Sequence, residues 1–103
     1  MNEGQVNITH EGKDKTLIVF SGDLILDNIA VMKKEIEAFC SIFSKKQLII
    51  RIREVSALDL SFLQLLAVFC TRLEKLGVQY SMNWELEEEL QLLLEQTGFE
   101  KYV

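Results

Sequence analysis

Asp59 and Ser61 are the residues of this chain whose types and spacing best suit a chemical site. They lie between an isoleucine-rich run, 48–52, and a longer apolar segment that begins at Phe62. A serine at the start of a helix lies beside free N–H groups and the positive end of the helix dipole. That position suits a phosphorylated serine, because the helix end tolerates an added anion. It also suits a purely structural serine, so two interpretations follow.

The structural interpretation is that Ser61 caps the following helix. Ser61 followed by Gln64 fits the capping box, in which the hydroxyl accepts a hydrogen bond from a backbone amide and the glutamine reaches back. Loss of such a cap costs on the order of 1 kcal/mol. A catalytic serine has little support, because His10 is the only histidine and belongs to the first predicted strand. The chain also lacks a glycine-rich phosphate loop. We therefore expect no enzyme activity and no cofactor.

Length and composition restrict the class of protein. The 103 residues predict one domain spanning 1–103, and the net charge of −5 argues against nucleic acid as a partner. No apolar run approaches the roughly 20 residues of a membrane span, and the first residues do not form a signal peptide. We expect a cytoplasmic protein with no direct membrane insertion. Cys40 and Cys70 form no metal-binding motif and are expected to be reduced core residues.

Hydrophobic periodicity predicts an α/β domain with the order β-β-α-β-α-β-α, in which helices pack on a mixed four-stranded sheet. The continuous apolar run 48–52 is typical of a central strand covered on both sides. The predicted strands cover 6–10, 16–21, 48–52 and 78–82, and the predicted helices cover 29–44, 62–76 and 85–97.

Capping residues set the expected ends of the helices. Asp27 or Asn28 is predicted to cap the first helix, and Gly77 to end the second in a left-handed conformation. After the third helix, Phe99 and Tyr102 are expected to pin the end of the chain to the core. The first helix buries one wide face, and a thinner apolar stripe lies on its outer side, formed by Val31, Ala38 and Ile42.

Three stretches of the sequence resemble the STAS domain, which occurs in sulfate transporters and bacterial anti-sigma factor antagonists. They are the Ser-Gly-Asp-Leu at 21–24, the run 48–61 and the ending 92–99. The resemblance extends over essentially the whole chain and implies the fold predicted above. In the antagonists, an Asp-Ser-Ser-Gly-like turn carries a serine that is phosphorylated by a partner kinase, which is also the anti-sigma factor. The unphosphorylated domain binds that kinase and releases the sigma factor.

The resemblance places Asp59 at the acid of this turn and Ser61 at its phosphorylated serine. The chain departs from the pattern where Leu60 replaces the first serine and Phe62 replaces the glycine. Periodicity places Phe62 on the inward face of the second helix, whereas its position beside Ser61 suggests an aromatic anchor for a partner. Asp23 matches an acid that follows the second strand near the same surface. The partner-binding residues implied in this way are Asp23, Asp59, Leu60, Ser61, Phe62 and Gln64.

Two alternatives remain open from the sequence. One is a constitutive subunit of an assembly resembling bacterial lipid-transport ABC complexes, bound to its ATPase; Phe62 and the outer stripe of the first helix motivate it. The other is a small-ligand or nucleotide sensor, with Asp23, Arg51 and Ser61 around one pocket. The sequence leaves the oligomeric state open, and a homodimer is among the arrangements considered.

Overall fold

The computed structural model of the chain describes residues 3–11, 14–43 and 47–97, which form strands and helices in the predicted order. The strands are β1 (Gly4–Glu11), β2 (Lys15–Leu24), β3 (Gln47–Leu58) and β4 (Gln79–Trp84). The helices are α1 (Leu26–Ile42), α2 (Leu60–Lys75) and α3 (Glu88–Thr97).

The four strands form one mixed sheet in the order β1-β2-β3-β4. β1 and β2 are an antiparallel hairpin, while β2, β3 and β4 run parallel to one another. The carboxyl ends of β2 and β3 therefore lie side by side, each followed directly by a helix. This arrangement brings the starts of α1 and α2 to the same edge of the sheet.

One face of the sheet is buried beneath α1 and α2. Along β3, Leu48, Ile50 and Ile52 are buried, whereas Ile49 and Arg51 between them are only half-buried. The prediction that this strand is covered on both sides was wrong. The run is continuously apolar up to Ile50, but buried and half-buried side chains alternate along it, so only one face of the strand is fully covered. The core is completed by apolar side chains of α1 (Met32, Ile36, Phe39 and Cys40), of α2 (Phe62, Leu63, Leu66, Phe69, Cys70 and Leu73) and of α3 (Leu94).

β3 extends well beyond the predicted 48–52, and the added part contains extra residues relative to β2. Phe20 pairs with Ile52 and Leu24 with Leu58, so four steps along β2 match six along β3. Such bulges sharpen the local twist of a strand. Gly22 lies where the register shifts and has φ +84°; an added Cβ there would lie 2.1 Å from the Glu3 carbonyl oxygen. The two strands nevertheless end together.

The start of α1 differs from the prediction, whereas the end of α2 agrees with it. α1 begins at Leu26, and its N-cap residue Ile25 makes no side-chain cap. Asn28 instead donates its side-chain amide to the Asp23 carbonyl oxygen at 2.8 Å, so the prediction that Asp27 or Asn28 caps this helix was wrong. The left-handed conformation predicted after α2 is confirmed, with φ +74° at Gly77.

The two cysteines are free and buried, as predicted. Desolvation raises the pKa of both thiols, and that of Cys70 reaches about 11. Phe99 and Tyr102, which were expected to pin the end of the chain, lie outside the described residues. No helix in the described part of the chain is long and apolar enough to cross a membrane.

Candidate functional site

Asp59 caps α2. Its backbone is extended, with φ −133° and ψ 176°, and its Oδ1 accepts hydrogen bonds from the amides of Ser61 at 3.0 Å and Phe62 at 3.3 Å. The predicted capping box of Ser61 and Gln64 was therefore wrong. Ser61 already lies in the first helical turn, because β3 ends at Leu58 and the next residue is an aspartate, a strong N-cap residue.

The other oxygen of the same carboxylate caps α1. Asp59 Oδ2 accepts a hydrogen bond from the backbone amide of Leu26 at 2.9 Å. The Asp59 amide in turn donates to the Leu24 carbonyl oxygen at 3.1 Å, which fixes the end of β3 against the end of β2. A single side chain thus joins the starts of both helices.

The Ser61 hydroxyl donates a hydrogen bond to the Oδ1 of Asp59. Burial raises the pKa of the Asp59 carboxyl, and the hydrogen bonds from Ser61, Leu26 and Phe62 lower it. The hydrogen bonds together outweigh burial, so the pKa lies below its ordinary value. Asp59 is therefore a carboxylate at neutral pH. The positive ends of the two helices already have an anion, so a phosphate on Ser61 would meet a negative charge.

Phe62 lies in the core. Its side chain is fully buried, and its ring packs edge-to-face on Phe20 with the ring centroids 5.4 Å apart. The inward position predicted from periodicity is confirmed. The expectation that Phe62 contacts a partner was wrong, because the ring offers no surface to one. Phe62, at the position where the STAS resemblance implies a glycine, thus fills the interior of the protein beside Ser61.

Two exposed leucines flank the Asp59 carboxylate. Leu60, the first residue of α2, is 57% exposed, and Leu26, the first residue of α1, is 69% exposed. Sequence reasoning missed Leu26, because the predicted helix began at residue 29 and no local signal links Leu26 to Asp59. Together with the exposed Gln64, these residues form what we call the helix-start surface: Leu26, Asp59, Leu60, Ser61 and Gln64.

Asp23 lies at the same edge of the sheet, as expected. It is half-buried, pairs with Ala57 and precedes Leu24, whose carbonyl oxygen accepts the Asp59 amide. Arg51 lies far from this edge. Its partner on β2 is Val19, five residues before the Leu24 that pairs with Leu58, a distance of about 17 Å along the strand. The Arg51 Nε lies 3.5 Å from Glu85 Oε2. The pocket expected from Asp23, Arg51 and Ser61 is therefore not formed.

A scan against protein-family models and a search of curated proteins find no match. A comparison with solved structures, in contrast, finds proteins with a similar fold. The anti-sigma factor antagonist SpoIIAA in its unphosphorylated form matches with a TM-score of 0.73 and 13% identity, over 95% of this chain and 84% of that chain. This chain has the SpoIIAA fold. The phosphorylated form of SpoIIAA, a Bacillus cell fate determinant, gives a TM-score of 0.67 at 12% identity, over 95% of this chain and 87% of that chain.

A more distant likeness extends to a larger protein. Mglu in its native form gives a TM-score of 0.61 at 12% identity over 77% of this chain, and the matched part is 23% of Mglu. SpoIIAA is a STAS-domain protein. The likeness to SpoIIAA confirms the predicted α/β fold with a four-stranded mixed sheet, and it agrees with the STAS resemblance read from the sequence.

Proposed function

We propose that this SpoIIAA-like chain is a non-catalytic regulatory protein that binds a protein partner through its helix-start surface, and that a phosphate on Ser61 weakens this binding. The observation that carries the proposal is the Asp59 carboxylate, which accepts hydrogen bonds from both helix starts and from the Ser61 hydroxyl. The STAS resemblance and the SpoIIAA fold support a partner that is both a serine kinase and an anti-sigma factor.

The helix-start surface combines two exposed leucines with one ordered carboxylate. The exposed side chains of Leu26 and Leu60 belong to residues whose backbone adjoins Asp59: the Leu26 amide donates to the carboxylate, and Leu60 is the next residue along the chain. A single exposed leucine is ordinary, but here two exposed leucines lie beside one ordered carboxylate. A partner would bury the leucines and contact the Asp59 carboxylate, whose position is already fixed by its hydrogen bonds to the helix amides.

Phosphorylation would change both the charge and the geometry of this surface. A kinase would transfer the γ-phosphoryl group of ATP to Ser61 Oγ, which loses its proton, and ADP would leave. The phosphate adds about −1.5 to −2 charges at neutral pH, and Ser61 can then no longer donate to Asp59. Repulsion between the two anions would move Asp59 away from the amides that it caps. The partner would meet added negative charge and a displaced first turn in α1 or α2.

Affinity capture from the native host tests this proposal. The full chain would be used as wild type, Ser61→Ala and Ser61→Glu, with Thr71→Glu as the matched control. Thr71 is an exposed hydroxyl residue farther along α2, and its hydroxyl donates to the Ala67 carbonyl oxygen at 3.0 Å. We expect wild type, Ser61→Ala and Thr71→Glu to recover similar amounts of the partner. Ser61→Glu should recover at least tenfold less. Intact-mass analysis of the native protein should reveal one phosphate, and mass spectrometry of its peptides should locate it on Ser61.

Equal recovery of the partner by wild type and Ser61→Glu would contradict the switch. Loss of the partner with Thr71→Glu as well would show that any added charge on α2 disrupts binding, which would contradict a specific role for Ser61.

A constitutive subunit of an ABC-type lipid-transport complex is the second candidate. It keeps one of its two motivating observations, since Val31 and Ile42 of the outer stripe are exposed. It loses the other, because Phe62 is buried. A subunit of this kind would be recovered in a stoichiometric complex with an ATPase and without phosphate, so the same capture experiment distinguishes the two functions.

A further inference from the structure

The first turns of α1 and α2 differ in how they are anchored to the core. In α2, Phe62 and Leu63 are buried, and the Phe62 ring packs on Phe20. In α1, residues 26–31 include no buried side chain, and the first buried residue of the helix is Met32. Packing therefore holds the start of α2, whereas the start of α1 depends on hydrogen bonds.

The hydrogen bonds at the start of α1 come from two sources. The N-cap residue Ile25 supplies no side-chain cap, and the Leu26 amide donates instead to Asp59 Oδ2 at 2.9 Å. Further along, the Asn28 backbone amide donates to the Ile25 carbonyl oxygen at 2.9 Å, and its side-chain amide donates to the Asp23 carbonyl oxygen at 2.8 Å. Asn28 is thus held independently of Asp59, whereas Leu26 is not.

A phosphate on Ser61 would act directly on the Asp59 carboxylate. The Ser61 hydroxyl donates to Asp59 Oδ1, so the phosphoryl group would be attached to the oxygen that now contacts the carboxylate. Phosphorylation removes the proton of this bond and adds about −1.5 to −2 charges. Repulsion between charges so close together exceeds the free energy of one N-cap. The Asp59 side chain would therefore turn away, while its backbone stays fixed by the bond from its amide to the Leu24 carbonyl oxygen.

We propose that phosphorylation of Ser61 releases the first turn of α1 and leaves α2 intact. Ser61 lies in the first turn of α2, where free amides and the helix dipole favour a phosphate, so the phosphate takes the place of Asp59 there. The Leu26 amide belongs to the other helix and loses its acceptor. Because Leu26 and Asp27 are both exposed, few buried contacts oppose the opening of this turn.

The inference rests on the proposed modification of Ser61, and it assigns the loss of partner binding to α1. Leu26 supplies one of the two exposed leucines of the helix-start surface, and Leu60 supplies the other. Release of the first turn of α1 leaves Leu26 without a fixed position. A partner that must order this turn before it can bind loses affinity. The phosphate thus weakens binding even where the partner does not touch it.

Solvent exchange of backbone amides, measured by NMR on the full chain, tests the release. Phosphoserine is genetically encoded at position 61, so no kinase is required. We expect the Leu26 amide to exchange at least tenfold faster in the phosphorylated protein than in wild type. The Phe62 amide, in α2, should exchange no faster than in wild type.

Phosphoserine encoded at position 71 is the matched control. Thr71 is exposed on α2, about 15 Å from Ser61 along the helix axis. A phosphate there adds the same charge to the same helix without contacting Asp59. It should change the exchange rates of the Leu26 and Phe62 amides by less than twofold.

Asp59→Asn separates the cap from a general effect of the phosphate. Its side chain keeps one carbonyl oxygen for the α2 amides, but the NH₂ group in place of Oδ2 cannot accept from Leu26. We expect the Leu26 amide of this unphosphorylated variant to exchange at least tenfold faster than in wild type. Phosphoserine at position 61 should then change that rate by less than threefold, because the cap is already lost.

Unchanged exchange of the Leu26 amide on phosphorylation would overturn the inference, since either Asp59 or the phosphate would still be capping α1. Release of the Phe62 amide together with that of Leu26 would overturn it as well. So would a tenfold effect of the phosphate that persists in Asp59→Asn. The capture experiment fails separately, because equal recovery of the partner by wild type and Ser61→Glu leaves the exchange of Leu26, measured without a partner, unaffected.

Discussion

The backbone amide of Leu26 donates a hydrogen bond to the Asp59 carboxylate at 2.9 Å, although 33 residues separate the two in sequence. The other oxygen of that carboxylate accepts the amides of Ser61 and Phe62 in the second helix. The start of α1 and the start of α2 are thus held by one side chain. This contact makes the proposed partner surface and the stability of the two helices depend on the same residue.

Asp59→Ala removes both caps at once. Since loss of one N-cap costs about 1 kcal/mol, we expect the free energy of unfolding to fall by about 2 kcal/mol. Urea denaturation followed by circular dichroism measures this change. Asp27→Ala is the control, because Asp27 is exposed in the first turn of α1 and its loss should cost about 0.5 kcal/mol through the helix dipole. Equal stability of Asp59→Ala and wild type would contradict the double cap.

The contribution of Asp59 should also depend on pH. The pKa of its carboxyl in the folded state lies below the unfolded value of about 3.9. The stabilisation is therefore fully present above about pH 4 and is lost as pH falls through the folded pKa. We expect the stability difference between wild type and Asp59→Asn to be constant near neutral pH and to shrink below about pH 4. Urea denaturation at a series of pH values checks this, and a difference that instead changes near pH 7 would refute it.

Phe62 and Leu60 should respond in opposite ways to truncation. Phe62→Ala leaves a cavity against Phe20, and we expect it to cost about 3 to 5 kcal/mol. Leu60→Ala removes an exposed side chain and should change stability by less than about 0.5 kcal/mol while weakening partner capture. Thermal or urea denaturation and the capture assay supply the two measurements. If Phe62→Ala were as stable as Leu60→Ala, the burial of the phenyl ring would be disproved.

Gly22 and Gly77 form a matched pair for testing the bulged strand end. Both have positive φ, but an added Cβ at Gly77 meets nothing within 4 Å, whereas at Gly22 it would meet the Glu3 carbonyl oxygen. Gly77→Ala should cost about 1 to 2 kcal/mol from backbone conformation alone. Gly22→Ala should cost distinctly more, because the strand must also shift. Similar Tm values for the two variants would argue against the close approach of Glu3.

Local spacing was enough to predict the main elements and their buried faces. Met32, Ile36 and Phe39 recur at helical intervals, and all three are in the core, on the one wide face that the first helix was predicted to bury. The left-handed Gly77 was also predictable, because a glycine after an amphipathic helix has a local conformational reason. These features depend on neighbours within a few residues, which a sequence displays directly.

The helix-start surface was predicted only in part, since its decisive contacts join distant segments. Asp59 and Ser61 were visible as a pair, but the choice between them as the cap depended on where β3 ends. β3 ends after two register shifts relative to β2, and no residue pattern in the sequence predicted those shifts. Leu26 entered the surface only through its hydrogen bond to Asp59.

The sequence by itself determined the order of elements, the fold class and the pair of residues at the centre of the site, because these follow from periodicity and residue type. The tertiary structure decided that Phe62 is buried and that Asp59 serves two helices. Asp59 can cap both helices because the parallel pairing of β2 and β3 brings the carboxyl ends of these strands together. The free backbone amides at the starts of α1 and α2 therefore lie close to the same carboxylate. One carboxylate has two oxygens, and only this meeting of the two strands gives each of them a helix to cap.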